Sequence, residues 1–109
     1  MRTLKFIVNN KTILKDPSCD FSNLKPKSGE VIRAEFSFSS EWNKAVKVIA
    51  FYSRDRKELT PQVLSEDDSC IIPSEALNDF VFYIQILGKR KGKKFETDKL
   101  AVCQDGGKR

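Results

Sequence analysis

The clearest pattern in the chain lies between Val31 and Phe38, where Ile32, Ala34, Phe36 and Phe38 alternate with Arg33, Glu35 and Ser37. A period of two sends successive side chains to opposite sides of an extended backbone, so this stretch predicts a strand with one buried face. Phe80 to Leu87 repeats the pattern, with Phe80, Phe82, Ile84 and Ile86 on one side. Ala45 to Ser53 is apolar on both faces, which predicts a central strand. The opening residues Leu4–Val8, Asn9-Asn10 and Lys11–Leu14 read as a hairpin. Asn tolerates the positive φ of a two-residue turn, and that register sets Phe6 opposite Ile13.

The remaining elements are shorter. Glu58–Leu64 contains Pro61, which cannot donate to a ladder, so it predicts an edge strand. Cys70-Ile71-Ile72 is a short strand, and Pro73–Leu77 reads as one helical turn with Pro at its tolerated start. Phe95–Cys103 returns alongside Phe80–Leu87 after a turn through Gly88–Gly92. Asp16–Glu30, broken by Pro17, Pro26 and Gly29, is loop. About eight strands with turn residues every 8–12 positions, and no amphipathic helix, predict an all-β antiparallel sandwich or small barrel. Residues 1–104 form a single domain in this reading, and 105–109 form a loose tail.

Composition changes little. At 109 residues, with 39% hydrophobic and 32% charged residues, the chain holds enough apolar mass for one core and argues against disorder. The longest apolar runs, Val48–Tyr52 and Phe80–Ile84, are far short of the roughly 20 residues that span a bilayer. The first residues enter the alternating pattern directly, without a secretory signal, which predicts folding in a cytoplasm. Cys19, Cys70 and Cys103 are odd in number and widely spaced, so they predict reduced thiols. The net charge is +5, and Lys89, Arg90, Lys91, Lys93 and Lys94 account for all of it. The basic excess therefore belongs to one hairpin tip.

Candidate chemistry is sparse. Without a histidine, Ser-His and Cys-His nucleophile arrangements cannot be built, and no Cys/His zinc pattern exists. Gly88–Lys94 lacks the glycine–lysine–serine/threonine spacing of a phosphate loop and joins two strands instead of opening a helix. Glu66, Asp67 and Asp68 cluster, but consecutive acids at a turn read as solvation, with no partner carboxylate marked across a cleft. The sequence thus predicts no enzyme, no metal and no cofactor. The basic run Lys89, Arg90, Lys91, Lys93 and Lys94 reads first as a solvated hairpin tip and otherwise as a contact for an acidic protein surface or nucleic acid; with Trp42 it makes up the candidate contact residues. The basic run has no interleaved aromatics, which disfavours single-stranded nucleic acid. Trp42 either plugs one end of the sandwich or stands exposed as an anchor.

Taken in order, four segments resemble a domain of virion proteins from phages of Gram-positive bacteria. They are Phe36–Trp42 (F-x-F-s-x-E-W), Lys47–Tyr52, Asp67–Leu77 (an acidic turn leading to C-x-I-P-x-E-x-L) and Phe82–Gly88, followed by the threonine-containing Glu96-Thr97-Asp98. The resemblance covers roughly residues 31 to 103. It implies an immunoglobulin-like β-sandwich of 7–8 strands with one short helical turn, serving in a head-decoration, head-fibre, tail or baseplate component. The partners it implies are other virion proteins, in several copies on a symmetric assembly, with the particle as the final location. The competing expectation is a small phage-encoded binder of a host factor or nucleic acid that uses the 88–94 segment.

Overall fold

The computed structural model describes residues 2–21, 31–77 and 81–103. Along the chain come β1 (Arg2–Asn9), β2 (Thr12–Lys15), β3 (Ile32–Phe38), a 3₁₀ turn (Ser40–Trp42), β4 (Val46–Tyr52), β5 (Gln62–Val63) and β6 (Ser69–Ile71). They are followed by α1 (Ser74–Leu77), β7 (Val81–Arg90), β8 (Lys93–Glu96) and β9 (Leu100–Cys103). These strands form two sheets, one ordered β2-β1-β3-β6 and the other β5-β4-β7-β8, with β9 also paired to β7. The fold is all-β and sandwich-like. Among the described residues no helix is long and apolar enough to cross a membrane.

Alternation explains the interior. Leu4, Phe6 and Val8 of β1 and Ile32, Ala34 and Phe36 of β3 are buried from one sheet; Ile49, Phe51, Phe82, Ile84, Ile86 and Val102 meet them from the other. Fully burying each of the larger side chains stabilises the fold by about 1.5–3 kcal/mol. Phe6 stacks on Phe36 at 5.1 Å between ring centroids and takes the edge of Phe21 at 5.4 Å. Phe80, the loop residues 22–30 and the tail 105–109 lie outside the described residues.

The structure departs from the pairing expected from the sequence in three places. First, β1 and β3 run parallel, with Leu4 opposite Ala34 and Phe6 opposite Phe36, whereas the other ladders among the described residues are antiparallel. The tight β1–β2 hairpin occupies one edge of β1, so β3 reaches the other edge only after residues 16–31, a crossover long enough for a parallel pair. Second, the first hairpin turns at Asn10-Lys11 rather than Asn9-Asn10, which sets Val8, not Phe6, opposite Ile13. Asn10 adopts φ 58, donates its N–H to Ser39 Oγ at 3.0 Å and accepts the Trp42 indole N–H, so tertiary partners select it for the turn.

Third, Phe95–Cys103 is not one strand. Leu87 faces Glu96 and Ile84 faces Leu100, so Gln85 and Ile86 oppose three residues, 97–99, in a bulge. The bulge turns Thr97 inward to 2% exposure. Its hydroxyl accepts the Ile86 N–H at 3.0 Å, its own N–H donates to the Ile86 carbonyl at 2.9 Å, and its carbonyl accepts Gln85 Nε2 at 2.9 Å. The Asp98 N–H then reaches the Lys11 carbonyl at 2.8 Å and ties the two sheets together.

Each end of the sandwich is closed by a link between sheets. Trp42 plugs the end between β3 and β4, and Ala76 and Leu77 of α1 plug the end between β6 and β7.

Candidate docking surface

The basic run is strand, not loop. β7 continues to Arg90, and the chain reverses only at Lys91 and Gly92, whose φ values of 51 and 79 suit a type I′ turn. Gly88, expected in the turn, lies mid-strand under Trp42. A Cβ added there would stand 2.6 Å from Trp42 Cζ3 and 2.9 Å from Phe95 Cε2. Register then opposes Lys89 to Lys94 and Arg90 to Lys93, two consecutive like-charge pairs. Arg90 donates to the Asn43 carbonyl at 2.8 Å and lies 6.0 Å from the Phe95 ring centroid. Among the described residues no carboxylate forms an ion pair with any of the five. Arg90, Lys91 and Lys93 join Lys44 and Asn43 around an open hollow of about 470 Å³.

Trp42 does not share that surface. It is 1% exposed, packs on Phe95 at 4.6 Å and Phe38 at 5.3 Å, and donates Nε1–H to the Asn10 carbonyl at 2.8 Å. Of the two readings open in the sequence, the plug is the one present. Its work is structural: it holds the base of the basic hairpin and the tip of the first hairpin in one place.

The acidic turn is likewise internally engaged. The Asp67 carboxylate accepts from the hydroxyls of Ser65 and Ser69 and from Arg33 Nη2 at 3.2 Å. Those bonds, the serine hydroxyls first, hold its pKa down at about 2. Asp68 pairs with Lys47 at 3.1 Å. The Cys70 thiol beside this turn is pushed up to about 12 by burial, which keeps it protonated and non-nucleophilic at neutral pH. A carboxylate engaged by three donors is a turn brace, and among the described residues no cluster of acids gathers around it.

A surface the sequence reading missed lies on the outer face of the second sheet. On β4 the start of the strand is inverted. Lys47 points inward, with its ammonium over the Phe38 ring at 4.8 Å, while Val46 and Val48 point out. Register lines Val48 up between Val63 of β5 and Leu87 of β7. Val46 is 60% exposed and Val63 67%. Val46, Val48 and Leu87, together with Lys89, Lys94 and Glu96, border a groove of about 480 Å³, and Val63 continues the strip beyond it on β5. At the opposite end of the same face the rings are covered: Lys99 lies over Tyr52 at 4.1 Å and Arg56 over Tyr83 at 5.3 Å. Among the described residues no cation lies over the aliphatic end in this way. The signal was present in Ala45–Ser53, whose apolar character on both faces reads equally as a central strand or as a strand with a sticky exterior.

No family model matches the chain, and no curated protein matches it either.

Proposed function

We propose that this chain is a non-enzymatic structural module of a bacteriophage particle that acts through protein–protein contacts, as a capsid-decoration, head-fibre, tail or baseplate component. The observation that carries the reading is an outward aliphatic strip, exposed at Val46 and Val63 and half-buried at Val48 and Leu87, set on a well-packed sandwich core. Contiguous exposed apolar surface rimmed by charge is the physical mark of a docking face. The ordered resemblance of residues 31–103 to virion domains supports the same reading. The polar clusters support it too, because Asp67, Asp68 and Thr97 spend their hydrogen bonds on turns and bulges rather than on a cleft.

The test is the protein content of purified particles of the phage that encodes the chain. Quantitative mass spectrometry should find its peptides at a fixed stoichiometry to the major capsid or tail protein after density-gradient purification. Absence from such particles, with the protein abundant in the infected cell, removes the reading. Cations at the β7–β8 tip that form no ion pair among the described residues favour a second reading, a binder of anionic surfaces. Its mark is affinity for duplex DNA or an acidic protein that falls steeply with salt.

A further inference from the structure

We infer that the aliphatic strip on the outer face of the second sheet docks a second copy of this chain, in a two-fold dimer whose axis runs parallel to the strands. The inference rests on the docking role proposed above and names the partner.

Charge across the strip carries the argument. On the β8 side stand Lys89 and Lys94, directly opposed and without an ion-pair partner among the described residues, and Glu96, one outward position along β8 and opposite Leu87. On the β5 side the chain leaves Val63 for the turn that holds Glu66, exposed and beside Val46 and Val63 in a shared hollow. Between the two rims the described residues are aliphatic: Val63, Val48, Val46 and Leu87. The face is thus acidic on one flank, apolar in the middle and net basic on the other, where Glu96 offsets one of the two lysines.

A rotation of 180° about an axis along the strands exchanges the flanks. It lays Lys89 and Lys94 of one copy over Glu66 of the other, twice, while the aliphatic strips meet in the centre. An isologous contact requires this kind of self-complementarity. The pairing also relieves the like-charge opposition of Lys89 and Lys94, which is unfavourable in the isolated chain. A nucleic acid would use the basic flank but leave the aliphatic strip against water. A generic acidic partner would gain nothing from Glu66.

Size sets the strength. One outward position on β5 and two each on β4, β7 and β8, at about 4.8 Å between strands and about 6.7 Å along them, give roughly 200 Å² per copy, well under the roughly 800 Å² per partner of a standard stable interface. The dimer is therefore weak in dilute solution and forms where copies are concentrated, as on a repeating assembly.

Sedimentation velocity on the full chain, from micromolar to near-millimolar concentration, tests this. The wild type should shift reversibly from monomer toward dimer. Val46→Glu and, separately, Val63→Lys should abolish the shift while circular dichroism shows an unchanged fold. Lys89→Glu and Glu66→Lys should each weaken association by about tenfold, and the double swap should restore most of it. A wild type monomeric throughout, a dimer indifferent to both valine substitutions, or charge swaps without mutual rescue would overturn the inference. Those outcomes leave the docking role intact if the protein is still found in particles. Absence from particles with a sound dimer removes the docking role and leaves the dimer.

Discussion

Gly88 shows how one missing side chain organises an end of the molecule. Glycine inside a strand is ordinarily unfavourable, and its φ here is not in the left-handed region, so alanine would normally gain. Contact reverses the sign, because the new methyl would lie 2.6 Å from the Trp42 ring. Overpacking of that kind costs about 1–3 kcal/mol. Gly88→Ala should therefore lower the urea midpoint by that amount without changing the slope, and an unchanged or raised midpoint would mean the indole has room to move. The sequence marked Gly88 as a turn residue because glycine next to a basic run is the usual sign of a loop. Nothing local in the sequence reports that an indole 46 positions earlier fills its space. Cysteine chemistry divides at the same scale. Cys103 is exposed, whereas burial holds the Cys70 thiol at about 12. In native buffer a thiol reagent followed by peptide mass mapping should modify Cys103 well before Cys70, and the difference should vanish in denaturant.

At the scale of elements, the strands were legible and their ends were not. Period two set the buried faces of β1, β3 and β7 correctly, because burial on one face dictates which side chains may be apolar. The same periodicity cannot fix register to better than two residues, since a slip of two leaves every face unchanged. That is why the first hairpin turns one residue later than expected while Phe6 and Ile13 both remain inside. The bulge at Thr97 was equally silent in the sequence, where a lone threonine in a strand looks ordinary. Its hydroxyl accepts the buried Ile86 N–H, and removing a buried partner costs about 1–3 kcal/mol. Thr97→Val keeps the shape and deletes that acceptor, so it should destabilise by that amount and speed hydrogen exchange at Ile86 ahead of its β7 neighbours. Uniform exchange along β7 would deny the hydroxyl its role. The candidate site divides the same way. Lys89, Arg90, Lys91, Lys93 and Lys94 could be read directly as a charged tip. The aliphatic strip could not, because it assembles from β4, β5 and β7, and only their pairing makes Val48, Val63 and Leu87 neighbours.

Across the whole molecule, stability depends on the few links that carry the chain from one sheet to the other, and the turn between β5 and β6 is the most polar of them. Asp67 gathers Ser65, Ser69 and Arg33, and Asp68 reaches back across the sandwich to Lys47 on β4. A two-sheet fold was evident from strand spacing, but this crossing was not, since three acids in a row look like solvated surface until their donors are seen. Its acid sensitivity follows from linkage. The Asp67 carboxyl has a folded pKa of about 2 against an ordinary value of 3.8, so the folded state favours the ionised form. A depressed carboxyl contributes stability that is fully present above about pH 4 and lost as pH falls through about 2. Asp16 and Glu41, also lowered by hydrogen bonds from nearby groups, act in the same direction. Urea midpoints measured from pH 5 down to pH 2 should therefore decline for the wild type. Asp67→Asn should start lower at pH 5 and decline less, so that the gap between the two closes toward pH 2. A gap that stays constant to pH 2 would mean that the charge on Asp67 is not what Ser65 and Ser69 hold. The seam between the sheets would then owe its strength to the Asp68–Lys47 pair, and raising the salt concentration at pH 7 would reveal that dependence directly.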